Sequence, residues 1–96
     1  MLPMEPSAAL KFAADAAAEG RVEFSYHASF EEMPAERVGA DDVLNVLMSA
    51  DEALVQDDDG KKWKLYGSIL NGDDLAVVVR FRRDRVVVIV TVHALP

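Results

Sequence analysis

The stretch Leu75–His93, "LAVVVRFRRDRVVVIVTVH", decides the fold, because a short charged segment separates two strongly apolar runs. β-Branched residues fill both runs, and this composition is typical of paired strands. We expect two antiparallel strands joined by a two-residue turn at Arg83 and Asp84. That turn would place Val78 opposite Ile89.

This register gives the hairpin one apolar face and one mixed face, because side chains alternate along a strand with a period of two. The face that we expect beneath helices carries Leu75, Val77, Val79, Phe81, Val86, Val88, Val90 and Val92. The mixed face carries Ala76, Val78, Arg80, Arg82, Arg85, Val87, Ile89, Thr91 and His93.

The preceding segment, "KKWKLYGSIL", predicts a third strand of the same sheet. Trp63 is expected in the core, which puts Lys62, Lys64 and Tyr66 on the mixed face. The opposite arrangement would bury unpaired lysines at a cost of several kcal/mol. The side-chain parity then requires either a three-residue loop at "NGDD" or a bulge at Gly67.

Helical patterns dominate the first half of the chain. "EPSAALKFAADAAAEG" predicts a helix capped by Ser7 and ended by Gly20, and "ADDVLNVLMSA" predicts a later helix. Between them, "RVEFSY" reads as a half-buried strand and "HASFEEMPAERV" as a short helix ending near Pro34. The apolar stripe of the first helix consists of Leu10, Ala13, Ala14 and Ala17.

With "EALVQ" as a further strand, the predicted order is α-β-α-α-β-β-β-β. This order favours an α+β fold in which helices cover one face of a twisted, mainly antiparallel sheet of four to five strands. The 96 residues are the length of a single domain.

The composition bounds the function. The chain has no cysteine, which excludes disulfides and thiolate metal sites and fits a reducing compartment. It shows neither a signal peptide nor an apolar run long enough for a membrane span, so we expect a cytoplasmic protein without membrane contact. Two histidines and scattered carboxylates do not form a recognisable metal motif, and we expect no metal and no cofactor.

Charge is distributed unevenly along the chain. Residues 1–59 hold 14 acidic and 3 basic side chains, or −11, whereas residues 60–96 hold 3 acidic and 7 basic ones, or +4. Either the two halves pack together and neutralise each other, or the second half presents a basic surface to an anionic partner. The net charge of −7 weighs against RNA as that partner.

Five short motifs in order carry a resemblance to a known family: "YHASFEEM", "DDVLNVL", "DDDGKKWKLYG", "GDDLAVVV" and "VVVIVTVHALP". Together they resemble a small bacterial domain family related to the RelE/ParE toxin superfamily, often encoded beside zinc-finger antitoxins of the YgiT or MqsA type. The resemblance covers residues 26–96. It implies a RelE-like domain over residues 21–96, preceded by a helix over residues 1–20 that lies outside the match.

The resemblance also implies a function. RelE-type toxins cut messenger RNA without a metal, using basic residues on the free sheet face while the RNA 2′-hydroxyl attacks. The chain would then be the toxin of a type II toxin–antitoxin system and a metal-independent endoribonuclease. Two positions depart from the family pattern: Ala76 stands where a histidine is frequent, and His93 where a tyrosine is frequent.

On this basis the candidate catalytic residues are His93, Arg80 and His27, and the candidate substrate-binding residues are Lys62, Lys64, Tyr66, Arg82 and Thr91. Two alternatives stay open. The mixed face can be a solvated surface whose charges prevent aggregation. The protein can also be a non-catalytic RelE-fold interaction module that dimerises or binds an antitoxin-like partner through apolar residues of this face, with Val78, Val87 and Ile89 at its centre.

Overall fold

The computed structural model describes residue 3 and residues 5–95 of the chain. The elements, in order, are α1 (Pro6–Glu19), β1 (Val22–Phe24), a π-helical turn (Ala28–Glu32), α2 (Met33–Glu36), α3 (Ala40–Ser49), β2 (Glu52–Val55), β3 (Lys62–Ser68), β4 (Asp74–Phe81) and β5 (Val87–Ala94). The predicted order of helices and strands is confirmed, and so is the α+β class. The described residues leave out residues 1, 2, 4 and 96, which belong to the predicted segments 1–20 and 21–96.

The strands form one five-stranded sheet in the order β1-β5-β4-β3-β2. The three pairs formed by β2, β3, β4 and β5 are antiparallel, whereas β1 runs parallel to β5. The sheet is therefore mixed. The parallel pair follows from the helical connections between β1 and the later strands, because parallel neighbours need a crossover.

The register of the β4–β5 hairpin differs from the predicted one. Arg82 N–H donates to the Val86 carbonyl, and Arg85 has a left-handed backbone with φ of 71°, so the loop has three residues rather than two. This shifts the pairing by one residue and places Val87 and Ile89 in the core, both fully buried. The prediction that these two side chains lie on the mixed face is wrong.

A bulge then restores the predicted faces at the far end of β5. Val79 pairs with Ile89, but Val78 pairs with Thr91, so β5 has one extra residue at Val90. Beyond the bulge, Thr91 and His93 lie on the mixed face as predicted. An error in the turn and an unforeseen bulge cancel for these residues.

The β3–β4 connection follows one of the two predicted alternatives. Ile69 N–H donates to the Asp73 carbonyl, and Gly72 has a φ of 94°, which makes residues 70–72 a three-residue loop. No bulge occurs at Gly67, which pairs with Leu75. Trp63 is confirmed as a core residue, and its indole N–H donates to the Gly60 carbonyl at 2.9 Å.

The helices pack on the apolar face of the sheet, and α1 shares this core with α3. Ala9, Ala13 and Ala16 are the fully buried residues of α1, so its buried stripe is rotated from the predicted one. The reason is that α1 approaches α3 and the sheet closely along its smallest side chains. The helix begins at Pro6, which is favoured at a first helical position, and Ser7 is not its cap.

Pro34 does not end the second helical segment as predicted. The backbone widens to a π-helical turn, in which Met33 N–H bonds to the Ala28 carbonyl, and α2 continues through the proline. The segment ends at Arg37, whose left-handed φ of 57° closes the last turn. The missing N–H of Pro34 lies in a first helical turn, where it has no obligatory partner.

Candidate functional site

The face of the sheet opposite the helices carries the predicted basic residues in three rows. We call this surface the open face and define it by the rows. The first row is Val88, Arg80 and Lys62; the second is Thr91, Val78, Lys64 and Leu54; the third is His93, Ala76, Tyr66 and Glu52. The structure thus brings six of the eight predicted site residues into these rows.

The first row forms a basic end. Lys62 lies directly opposite Arg80 on the neighbouring strand. Within the described residues, neither cation takes part in an ion pair. Like charges in such a cross-strand pair repel each other, so an anion bound between them would stabilise both.

The carboxylate of Asp57 lies beside this basic end, and the sequence analysis did not single it out. Its carboxylate accepts the backbone N–H groups of Lys61 and Lys62, each at 3.1 Å. Partial desolvation works to raise the pKa of Asp57, but the N–H of Lys62, further hydrogen bonds and the charge of Arg80 hold it below its usual value. Asp57 therefore fixes the start of β3 and stays ionised beside the two cations.

The second row contains the polar residues Lys64 and Thr91, with the apolar Val78 between them. The Lys64 ammonium lies 5.4 Å from the ring centroid of Tyr66, within the range of a cation–π contact. Val78 is only 7% exposed. The Thr91 hydroxyl oxygen is buried and has no hydrogen-bond partner, so in this conformation a ligand in solvent does not reach it.

His93 and Tyr66 stand on either side of Ala76 in the third row. They are two strands apart, which corresponds to about 10 Å between their Cα atoms. Arg80 is four residues from Ala76 along β4, or about 13 Å. His93 is therefore nearer to Lys64 and Tyr66 than to Arg80. A single phosphate bound at His93 would contact Lys64 and Tyr66 rather than Arg80.

The open face becomes acidic from the third row onward. Glu52 lies opposite Tyr66, and Asp74 lies opposite Ser68. These residues and Asp51 line a shallow cavity of about 310 Å³ at this end of the sheet. Strand parity alone would have found the two carboxylates, since Asp74 shares the alternation of Ala76 and Glu52 that of Leu54.

Arg82 is engaged within the protein. Its guanidinium pairs with Glu23 of β1, and with Asp84 of the hairpin loop at 2.5 Å. The hydrogen bonds from Arg82 lower the pKa of the Asp84 carboxyl. Arg82 thus ties the β4–β5 turn to β1, whereas Lys62, Lys64 and Arg80 form no ion pair with any residue in the described part of the chain.

His27 lies away from the rows. Its Nδ1 is 2.5 Å from Glu31 and its Nε2 is 3.4 Å from Glu32. The hydrogen bond to Glu31, opposed by partial desolvation and reinforced by Glu32, raises the pKa of His27. Glu32 in turn accepts the Val92 N–H at 2.9 Å. His27 therefore belongs to the outer edge of β5, and it supports the strand that carries His93.

Exposed aromatic residues near His27 were also missed. Tyr26 and Phe30 are 74% and 69% exposed, and their ring centroids lie 4.7 Å apart. The sequence places Tyr26 in a half-buried strand, but β1 ends at Phe24. Tyr26 instead starts the turn into the π-helical segment.

Across residue 3 and residues 5–95, no cluster of three or more histidine and carboxylate side chains is arranged to hold a metal ion. In the same residues, no helix has both the length and the apolar character needed to cross a membrane. No protein-family model matches the chain, and searches of curated proteins and of solved structures found no match either.

Proposed function

We propose that the open face binds single-stranded RNA and that the protein is a toxin-like, metal-independent endoribonuclease of a type II toxin–antitoxin system. The observation that carries the proposal is the group of Lys62, Lys64 and Arg80 on adjacent positions of the open face, where none of the three forms an ion pair with another described residue, although Asp57 lies near Arg80. Phosphate oxygens are the natural partners of such cations. Tyr66 and His93 add groups that stack on bases or move protons.

The proposed reaction places the scissile phosphate over the third row. His93 takes the proton of the 2′-hydroxyl, whose oxygen attacks the adjacent phosphorus. The Lys64 ammonium stabilises the charge that develops on the phosphate oxygens. The bond from phosphorus to the 5′-oxygen breaks, and a proton from Tyr66 or water neutralises that oxygen. The products are a 2′,3′-cyclic phosphate and a 5′-hydroxyl.

In this proposal, Lys62 and Arg80 hold the neighbouring part of the RNA backbone. They lie at the end of the face away from the carboxylates Glu52 and Asp74, which repel phosphate. The RNA would therefore run along the strands from the basic end and stop at the third row. Arg82 and His27 act on the scaffold, through β1 and the edge of β5, and do not contact RNA.

The test uses purified protein and a 5′-labelled single-stranded RNA, with and without EDTA. We expect EDTA-resistant cleavage that leaves 2′,3′-cyclic phosphate ends, and a loss of at least about 100-fold in rate for His93→Ala, the usual scale of a general base. Arg83→Gln, an exposed change in the hairpin loop, should leave the rate unchanged.

Binding provides an independent readout. Lys62→Gln and Arg80→Gln should each lower affinity for RNA of any sequence and reduce the slope of log affinity against log salt by about 0.7. If the unmodified protein neither binds nor cleaves RNA and does not arrest growth when expressed, the proposal is wrong. If cleavage survives His93→Ala, the assignment of His93 as the base is wrong.

A non-catalytic interaction module is the second candidate, favoured by the acidic end of the open face and by the net charge of −7. Its original support has changed, since Val87 and Ile89 belong to the core. An antitoxin-like zinc-finger protein is the partner that the resemblance suggests. Co-expression with such a protein from a neighbouring gene, followed by co-purification, would favour this function if RNA cleavage is absent.

A further inference from the structure

The two edges of the sheet differ in how their unpaired backbone groups are covered. At the β1 side, β5 extends beyond the short β1, and acidic side chains cover its outer edge. Glu32 accepts the Val92 N–H at 2.9 Å and Glu36 accepts the Ala94 N–H at 3.2 Å. Such coverage prevents another strand from adding to this edge.

At the other side, β2 is the last strand of the sheet, and α1 packs against it from the helix layer. Among the described residues, no carboxylate accepts an outward N–H group of β2 as Glu32 and Glu36 do at β5. Gln56 N–H donates to the Lys62 carbonyl, so residues of even number in β2 bond to β3 and those of odd number point outward. The outward backbone groups belong to Ala53 and Val55. The one side chain that reaches them in the described residues is Gln56, at 3.4 Å from the Val55 carbonyl.

The side chains of this edge are also unusually apolar. Leu54 is 46% exposed and Val55 is 51% exposed. Proteins usually protect edge strands with lysine, proline or an inward charge, and the segment from Glu52 to Val55 has neither lysine nor proline. Such an exposed, apolar edge is typical of a surface that pairs with another strand.

We infer that β2 pairs with β2 of a second copy of this chain, antiparallel about a two-fold axis at Leu54, to form a ten-stranded sheet across the dimer. The sequence is complementary to itself in this register. Leu54 meets Leu54 of the second copy, Glu52 meets Gln56, and Ala53 meets Val55. Within residues 52–56 no like charges face each other, and Glu52 meets the amide of Gln56. Directly outside this segment, Asp51 of one copy approaches Asp57 of the other, which weakens the pairing most at low salt.

The backbone agrees with the same register. Ala53 and Val55 carry the outward N–H and carbonyl groups, so they form the hydrogen-bonded pairs, and Leu54 lies at the non-hydrogen-bonded centre. On the core side, Ala53 is already only 4% exposed within one chain, so the apolar surface that the second copy removes from water belongs to Val55. The inference does not depend on RNA cleavage, because β2 lies at the border of the open face.

The edge is short. The four residues of β2 span about 13 Å. Pairing along so short a strand buries less surface than the roughly 800 Å² for each partner in a standard interface. The dimer should therefore be weak and should form in a concentration-dependent way. Sedimentation equilibrium of the full chain from low micromolar to millimolar concentration measures this directly.

Leu54→Glu is the variant that discriminates. Within one chain, the new carboxylate lies opposite Lys64, so the fold gains a favourable cross-strand pair. In the dimer, two such carboxylates face each other at the axis. We expect the dissociation constant of the dimer to rise at least about tenfold. Met48→Glu, which adds the same charge to an equally exposed residue of α3, should leave it unchanged.

Cross-linking tests the register, because the chain has no cysteine of its own. In non-hydrogen-bonded pairs the Cα atoms are about 4.5 Å apart, which suits a disulfide. Leu54→Cys should form covalent dimers on mild oxidation, much faster than the exposed loop variant Leu70→Cys. A protein that stays monomeric at millimolar concentration, or a Leu54→Glu dimer as tight as the unmodified one, would overturn the inference.

Discussion

Gly67→Ala tests how closely α3 approaches the sheet. Gly67 lies in β3 with ordinary extended backbone, so an alanine meets no conformational strain there. The added Cβ, however, would lie 2.7 Å from the Val46 carbonyl oxygen, 3.0 Å from Ser49 Oγ and 3.1 Å from Ala50 Cα. Two of these atoms are backbone, so rotation of a side chain does not remove the clash.

The size of the effect follows from these distances. Ordinary contact starts at 3.4 Å, so α3 must retreat by about 0.7 Å from β3. Overpacking of this kind costs about 1–3 kcal/mol. Replacing glycine by alanine restricts the unfolded chain and returns about 0.4–1 kcal/mol. We expect a net loss of about 1–2 kcal/mol in the free energy of unfolding.

Urea denaturation followed by circular dichroism measures this loss. If the m-value of Gly67→Ala equals that of the parent, the shift of the urea midpoint reports the change in stability. The melting temperature should fall by about 4–8 °C for each kcal/mol in a domain of this size. The control is Gly39→Ser, whose Cβ has no neighbour closer than 3.9 Å and which should change stability by a few tenths of a kcal/mol at most. A Gly67→Ala protein as stable as the parent would refute the close approach.

Three further predictions concern other contacts. His27→Gln should flatten the pH dependence of stability. The hydrogen bond to Glu31 raises the pKa of His27 above 6.5 in the folded state, so the contribution of His27 to the free energy of unfolding is complete below about pH 6.5. That contribution disappears as the pH rises through the pKa of His27 in the folded state, which an NMR titration would locate. Trp63→Phe should cost about 2–3 kcal/mol in urea denaturation, since it leaves a cavity and an unpaired Gly60 carbonyl, and a loss below 0.5 kcal/mol would contradict the buried hydrogen bond. Asp57→Ala should lower the urea midpoint, because the carboxylate accepts two backbone N–H groups at the start of β3, whereas Asp58→Ala, beside it in the loop, should leave the midpoint unchanged.

Local physical arguments place some of the candidate residues on the sheet, and other placements depend on tertiary contacts. Lys62, Lys64 and Tyr66 were placed on the open face by the cost of burying a lysine, and the three-residue loop before β4 agrees with that argument. Strand alternation places Arg82 on the mixed face, and the family resemblance singles out His27. The pair of Arg82 with Glu23 joins segments that are distant in sequence, so no local pattern reveals it. The partners of His27, Glu31 and Glu32, are only four and five residues away, whereas the contact of Glu32 with Val92 is long-range.

The sequence by itself determined the α+β class, the order of elements and the face of β3, because hydrophobic periodicity and the cost of burying charge act locally along the chain. It did not determine the register of β5. Residues 86–90 are apolar on both faces, so their side chains carry no information about parity. The left-handed turn at Arg85, the bulge at Val90 and the parallel pairing with β1 decide that register. Those features arise from packing between distant segments, and packing is what places Val87 and Ile89 in the core while leaving His93 on the open face.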